Sequence, residues 1–231
     1  MRPTSPWRGR WPIVPSMRCI VTAGPTVEPL DSVRRLTNHS TGTLGTDLAN
    51  HLAGCGHDVL LLRSRTATAA PALHAVTTEA FATAADLLGR FQTHATQEPV
   101  AIFHAAAVGD FQVGTVFRRD SDGGLVPVHS GKHSTRDGVL LAELRPTPKI
   151  LAQLRDLYPK AWITGWKYEV DGTRDEVLQR ARAQLHSCRS DAVVANGPAY
   201  GPGYCWMTNH SQSHLGDSRE LYRLLTEKLW S

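Results

Sequence analysis

The sequence predicts an α/β fold of the Rossmann-like, doubly wound class with a mostly parallel sheet. Short, continuously apolar runs of strand length recur along the chain, and segments with apolar residues at helical spacing separate them. Strands that are apolar at every position suit a sheet covered by helices on both faces. Residues 112–146 break the alternation with glycine, charge and the alternating stretch Leu140–Leu144, which predicts a flexible insert with a hairpin-like excursion.

The elements follow in chain order. Cys19–Ala23 is a strand ended by Gly24-Pro25. Leu44–Leu52 is a helix with Leu44, Leu48 and Leu52 on one face, stopped by Gly54 and Gly56. Val59–Leu62 is a strand. Ala80–Thr93 reads as a helix with Phe81, Ala84, Leu87, Leu88 and Phe91 on one side. Val100–Ala107 is a buried strand, Thr147–Leu157 a helix and Trp162–Trp166 a strand. Arg174–His186 is a helix, and Asp191–Ala195 is the strand after it.

The length of 231 residues suits one domain, expected over residues 17–231. Residues 1–16 hold four prolines, no acid and no apolar run, so they are expected to be a disordered basic leader rather than a secretory signal. Met17 is an alternative start. Arg2, Arg8 and Arg10 supply three of the four net positive charges, leaving a near-neutral body that lacks the basic stripe of a nucleic-acid binder. No stretch approaches the roughly 18 apolar residues of a membrane span. Cys19, Cys55, Cys188 and Cys205 are widely spaced and form no Cys-x-x-Cys pair, so thiols in a reducing cytoplasm are expected.

Ligands of an open α/β sheet bind beyond the carboxyl ends of its strands. Three connections there are unusual. The first runs from Thr22-Ala23-Gly24-Pro25-Thr26 through Glu28, Asp31, Arg34 and Asn38 to Ser40-Thr41-Gly42, far longer than the usual ~2–6 residues. Ser40 or Thr41 is expected to cap the next helix, whose N–H groups would bind phosphate, with Gly42 and Gly45 permitting close approach. The second is Ala105-Ala106-Ala107-Val108-Gly109-Asp110-Phe111, where Asp110 could reach Mg²⁺ or a nucleotide hydroxyl. The third is Gly165-Trp166-Lys167-Tyr168-Glu169, where Trp166 either stacks on a base or ends a strand in the core. Lys132, beside Gly131 in the insert, is either a mobile cation that closes on phosphates or a solvated surface lysine.

Together these residues resemble the phosphopantothenate–cysteine ligase family, the standalone ligase part of a bifunctional coenzyme A biosynthesis flavoprotein family. Val21-Thr22-Ala23-Gly24-Pro25-Thr26-x-Glu28-Pro29-x-Asp31-x-Val33-Arg34 and Thr37-Asn38-His39-Ser40-Thr41-Gly42 are similar to its opening. His104-Ala105-Ala106-Ala107-Val108-Gly109-Asp110-Phe111 is similar to its second motif. Gly131-Lys132 with Arg145-Pro146-Thr147-Pro148-Lys149-Ile150-Leu151 is similar to its third. Gly165-Trp166-Lys167-x-Glu169 and Asp191-x-Val193-Val194-Ala195-Asn196 complete the order.

The resemblance implies a cytoplasmic enzyme that activates the carboxylate of 4′-phosphopantothenate with a nucleoside triphosphate, CTP favoured over ATP. The acyl-nucleotide would then condense with cysteine to an amide. It implies Mg²⁺, no flavin, a homodimer, and no membrane or nucleic-acid partner. By matching, Asn38 handles the acyl-nucleotide, Lys132 is the flap lysine of the first half-reaction, and Arg34 lies with Ala107 near the acyl substrate or intermediate. Gly24, Ser40, Thr41, Gly42, Ala106 and Ala107 fall on the substrate side, and Asp110, Phe111, Trp166 and Asn196 on the nucleotide side. The chain departs from the pattern with Thr43 after Ser-Thr-Gly, a flap reduced to Lys132-His133-Ser134, Trp166 for phenylalanine, Arg180, Arg182 and Arg189 as the basic residues left near the final strand, and a divergent stretch after Asn196. Two other readings are an impaired relative acting as a binding or regulatory subunit, and an NAD(P)-dependent Rossmann oxidoreductase. The second lacks Gly-x-Gly-x-x-Gly after the first strand and any Tyr-x-x-x-Lys.

Overall fold

The computed structural model describes residues 16–230 apart from 73, 74, 135 and 137, so the expected leader lies outside the described residues up to residue 15. Thirteen strands and five helices follow in chain order among them. They are β1 (Arg18–Ala23), β2 (Val27–Pro29), β3 (Arg35–Thr37), α1 (Thr43–Gly54), β4 (Asp58–Ser64), β5 (Thr77–Phe81), α2 (Ala84–Thr93) and β6 (Ala101–His104). There follow β7 (Phe111–Arg119), β8 (Leu125–Pro127), β9 (Leu140–Pro146), α3 (Ile150–Leu157), β10 (Trp162–Tyr168), α4 (Arg174–Ser187), β11 (Ala192–Asn196), β12 (Tyr204–Met207), β13 (Gln212–Leu215) and α5 (Ser218–Glu227).

The main sheet has eight strands in the order β13-β12-β11-β10-β6-β1-β4-β5. The six from β11 to β5 are parallel and β12 and β13 are antiparallel. This is the predicted mixed, mostly parallel class. β1 is buried at every position from Cys19 to Ala23 because both of its faces are covered. Cys19, Val21, Ala101, Phe103 and Val194 pack beneath α1 and α5. Ile20, Ile102 and Ile163 pack beneath α2 and α3 on the opposite face, while Val193 and Ala195 pack under α4. Each fully buried Leu, Ile or Phe contributes roughly 1.5–3 kcal/mol, so the helices are held by their apolar faces rather than by propensity.

From β1 the chain builds outward through β4 to β5 and then returns to lay β6 on the other flank of β1. The strand order reverses between β1 and β6, and a crevice opens there at the carboxyl ends.

Several boundaries differ from expectation. The predicted helix from Ala80 gives Ala80 and Phe81 to β5, and α2 begins at Ala84 after its cap Thr83, whose hydroxyl accepts the Asp86 N–H. β6 ends at His104, so Ala105–Ala107 form the loop beyond the sheet. The helix expected from Thr147 begins at Ile150, since Pro148 disfavours helix at the residue before it. The long first connection contains the β2–β3 hairpin. The expected flexible insert contains a three-stranded antiparallel sheet, β8-β7-β9. The divergent stretch after Asn196 extends the main sheet by two strands and closes it with α5.

Candidate functional site

The crevice is a cleft of about 880 Å³, within the size range of small-ligand sites. Loops after β1 and β6, the first turns of α1 and α3, and the ends of β10 and β11 line it.

The first two loops are tied together by backbone. Ala107 N–H donates to Gly24 O at 3.0 Å, and Thr26 N–H donates to Ala107 O at 3.2 Å. The Thr26 hydroxyl accepts the Gly109 N–H at 2.8 Å. Asn38 extends from the end of the hairpin and its Nδ2 donates to Ala107 O at 3.3 Å. The small residues Ala105–Ala107 thus form a wall whose backbone polar groups are held in fixed directions. Thr147 closes the far side, with its hydroxyl donating to Gly109 O and its N–H donating to Asp110 O.

Two helix N-termini open on this cleft, and they differ from the rest. The cap of α1 is Gly42, in left-handed conformation at φ 79°, not the expected Ser40 or Thr41. The Thr41 hydroxyl does accept the Thr43 N–H at 3.3 Å. Gly42 is required by that φ, and Gly45 by proximity: a Cβ there would lie 2.5 Å from Thr22 O. The first turn of α3 follows Lys149, which makes no side-chain cap bond, and neither helix has an acid in its first turn. By contrast α2, α4 and α5 are capped by Thr83, Thr173 and Asp217, and each carries acid in its first turn. Apart from the Thr43 N–H that Thr41 accepts, the helices that face the cleft leave their first-turn N–H groups and dipoles to a ligand, an arrangement that favours an anion.

Charge on the cleft wall is also ordered. Lys149 pairs with Asp110, both more than half exposed. Lys167 pairs at 2.9 Å with Glu169, which Arg180 also grips at 2.8 Å. Burial pushes the Glu169 carboxyl up, but Lys167 and Arg180 outweigh it and hold the group below its ordinary range. Asp110 is the one acid among the residues lining the cleft.

Of the sequence-predicted residues, Asn38, Ser40, Thr41, Gly42, Ala106, Ala107, Asp110, Trp166 and Asn196 line this one cleft. Gly24 lies just behind it, hydrogen-bonded to Ala107. Phe111 starts β7, is 46% exposed and does not line the cleft. Arg34 and Lys132 do not line it either. Their segments meet each other instead, through Arg34 Nη2 donating to His133 O at 2.7 Å and Ser32 N–H donating to Gly131 O at 2.9 Å. Sequence reasoning assigned no role to His104, Lys149, Gln184 or Cys188, all of which line the cleft. His104 and Lys149 stand inside the quoted motifs. Gln184 and Cys188 end a helix that carries no such signal, and only the packing of α4 brings them in.

Known proteins share this sequence pattern and architecture. The sequence model of the DNA/pantothenate metabolism flavoprotein C-terminal domain family matches residues 15–220. The chain is 31% identical over 180 residues to the coenzyme A biosynthesis bifunctional protein CoaBC of Thermococcus kodakarensis, covering 78% of this chain and 41% of that protein. The chain therefore spans less than half the length of that relative, and half that of the corresponding protein of Methanocaldococcus jannaschii. The crystal structure of the DNA/pantothenate metabolism flavoprotein from Streptococcus pneumoniae superposes with a TM-score of 0.81 at 27% identity, covering 93% of this chain and 98% of that one. The C-terminal domain of a CoaBC protein superposes with a TM-score of 0.70 at 25% identity, over 92% of this chain and 93% of the other.

Proposed function

The chain belongs to the DNA/pantothenate metabolism flavoprotein C-terminal domain family, and from that premise we propose that it is a phosphopantothenate–cysteine ligase. It takes 4′-phosphopantothenate, a nucleoside triphosphate (CTP first, ATP second) and cysteine. The observation that carries the reading is the pair of uncapped helix N-termini, α1 and α3, aimed at one cleft that also holds Lys149 and Asn38. Two clustered anion sites suit a reaction in which two of the three substrates bear phosphate.

In the first half-reaction the pantothenate carboxylate attacks the α-phosphorus, and pyrophosphate leaves. Negative charge gathers on phosphate oxygens, so catalysis is positioning and electrostatics from N–H groups and cations already in place. The first-turn N–H groups of α1 and α3 and the Lys149 ammonium take that role. Asn38, fixed by Ala107 O, leaves its amide oxygen to hold the acyl-nucleotide for attack by the cysteine amine. That attack forms the amide, releases the nucleoside monophosphate and gives up the amine proton. Lys132 stands outside the cleft on the loop latched to Arg34 and Asp31, and opening of that latch would bring its ammonium to the phosphates in the first step.

Magnesium fits as an ion carried by the nucleotide phosphates. No cluster of three His, Cys, Asp or Glu side chains for a metal exists among the described residues, and Asp110 is the cleft carboxylate able to add one ligand. Bound there, it would neutralise phosphate charge. The proposal includes a cytoplasmic location, for which the lack of any helix long and apolar enough to cross a membrane among the described residues is compatible. It also includes a homodimer. Leu36 on the hairpin and Phe111, Leu125 and Leu144 on the three-stranded sheet are apolar and exposed, as a shared interface would require.

Pyrophosphate release tests the reading. Release that requires both phosphopantothenate and CTP or ATP, followed by cysteine-dependent formation of phosphopantothenoylcysteine, supports it. No release with either nucleotide at high enzyme concentration sinks it, and leaves the impaired binding relative.

A further inference from the structure

The Thr22–His104 pair and Gln184 sit at the cleft and take no part in the steps above. His104 ends β6 and lies in register beside Gly165 of β10. The strand is bare at Gly165: a Cβ there would stand 2.6 Å from Leu151 Cδ2 and 3.0 Å from Gln184 Nε2, so those two side chains occupy the space next to His104. All of His104, Leu151 and Gln184 line the cleft.

The hydrogen bonds fix which atoms remain. The Thr22 hydroxyl accepts the Ala106 N–H at 2.9 Å and shares a hydrogen bond with His104 Nδ1 at 3.1 Å. With the Thr22 hydroxyl donating to Nδ1, the imidazole carries its proton on Nε2, which has no protein partner among the described residues. Gln184 Nε2 donates to Trp166 O at 3.1 Å, which turns its amide and leaves Oε1 as an acceptor without a protein partner among the described residues. His104 and Gln184 thus both line the cleft, Gln184 reaching over Gly165, the residue in register with His104.

We propose that His104 and Gln184 read the base of the bound nucleotide, His104 Nε2–H donating to a ring nitrogen and Gln184 Oε1 accepting from the adjacent exocyclic amino group. This assignment rests on the nucleotide-dependent ligase reading above. The edge they select is an acceptor beside an amino donor, which cytosine and adenine both present and which uracil and hypoxanthine present reversed. The ligand group at this wall is neutral, not phosphate. Burial pushes the His104 imidazole down to about 4, so it stays uncharged, and Phe91 stands edge-on at 5.7 Å with Ile150 and Leu151 nearby. The cations lie elsewhere on the cleft, on Lys149 and Lys167.

Equilibrium binding of CTP, ATP, UTP, ITP and inorganic tripolyphosphate to the full chain tests this. The wild-type chain is expected to bind CTP or ATP at least tenfold more tightly than UTP or ITP, since a mismatched pair at a buried polar edge leaves both protein groups unpaired. His104→Phe and Gln184→Leu should each weaken the preferred nucleotide roughly tenfold and narrow the gap to UTP, with tripolyphosphate affinity unchanged. A gap that persists in both variants, or a tripolyphosphate affinity that falls in step, overturns the assignment. Where His104→Phe does not fold, Gln184→Leu and ¹⁵N spectra of the wild-type imidazole decide. A proton found on Nδ1 rather than Nε2 would also overturn it. A wild-type chain that binds no nucleotide defeats the ligase reading as well, whereas intact pyrophosphate release with no base preference defeats this inference alone.

Discussion

Arg34 and His133 are joined across 99 residues of sequence, the Arg34 guanidinium donating to the His133 carbonyl at 2.7 Å. Asp31 sits between them. Its Oδ2 accepts from Arg34 Nη2 at 2.6 Å and from the His133 N–H at 3.2 Å, while its Oδ1 accepts the Val33 and Arg34 N–H groups. Burial raises the Asp31 carboxyl, but those donors outweigh it and hold the group well below the ordinary carboxylate range. The loop bearing Lys132 is therefore latched to the β2–β3 hairpin by a carboxylate that remains charged through ordinary acid conditions.

That latch predicts a local, not global, effect. Arg34→Ala should speed amide hydrogen exchange across residues 130–134 by about tenfold, as expected when a charge-assisted bond worth roughly 1.5–3 kcal/mol is lost and partly replaced by water. Exchange in α1 and β1 should not change. Equal exchange in the loop of both proteins would show that Ser32 and Asp31 hold it without Arg34.

Gly45 and Gly89 predict opposite outcomes for one chemical change. A Cβ on Gly45 meets Thr22 O at 2.5 Å and Ala23 Cβ at 2.8 Å, against backbone that cannot retreat. Gly45→Ala should cost about 1–3 kcal/mol and push the first turn of α1 out of the cleft, raising the nucleotide KM. Gly89 lies inside α2, and a Cβ added there would meet nothing within 4 Å, so Gly89→Ala should stabilise by about 0.5–1 kcal/mol with kinetics unchanged. Denaturant midpoints and initial rates for both variants test the contrast, and equal destabilisation would refute the packing argument.

Asn38→Ala should separate the half-reactions. The side chain is exposed and makes one bond, to Ala107 O, so folding should change by less than about 0.5 kcal/mol. Pyrophosphate release should persist while the acyl-nucleotide accumulates and becomes visible by mass spectrometry of the quenched reaction. Rapid, complete turnover to product in this variant would remove Asn38 from the second step.

Lys149 and Asp110 are 66% and 72% exposed, and such pairs contribute about 0.2–1 kcal/mol to stability. Lys149→Ala should therefore leave the melting temperature nearly unchanged but raise the nucleotide KM tenfold or more, with Lys149→Arg recovering part of the loss. A KM within twofold of wild type would make the pair a surface contact only.

Five of the six parallel strands were readable because strands buried on both faces must be apolar throughout, as Val59–Leu62 and Ala101–Phe103 are. Phe81 misled because it is buried beneath α2 from the end of β5, and apolar spacing alone does not separate those cases. The cap of α1 was misjudged because Ser40 and Thr41 have the right chemistry, whereas the chain turns at Gly42 and leaves the helix end open. Asn38, Ala107, Asp110 and Trp166 were legible as local motifs. Gln184 was not, because its place depends on how α4 lies over Gly165. The separation of Arg34 and Lys132 from the cleft reflects pairing between two loops distant in sequence.

His104 predicts an acid-dependent stability with a definite sign. Burial lowers its imidazole from 6.5 to about 4, so the unfolded chain binds a proton more readily than the folded one between those values. The group's contribution to stability is fully present above about pH 6.5 and is lost as pH falls toward 4. With 1.36 kcal/mol per unit, a single such group removes about 2 kcal/mol between pH 7 and pH 5. His51 and His57 are lowered in the same direction, chiefly by burial, so the wild-type decline exceeds that figure. His104→Phe should lose some stability at pH 7 with the Thr22 bond, yet decline about 2 kcal/mol less than wild type over the same interval. Urea unfolding at pH 7 and pH 5 measures the difference. Parallel declines in the two proteins would mean that the imidazole accepts a proton where it stands, and the neutral donor it offers the cleft would be lost in mild acid.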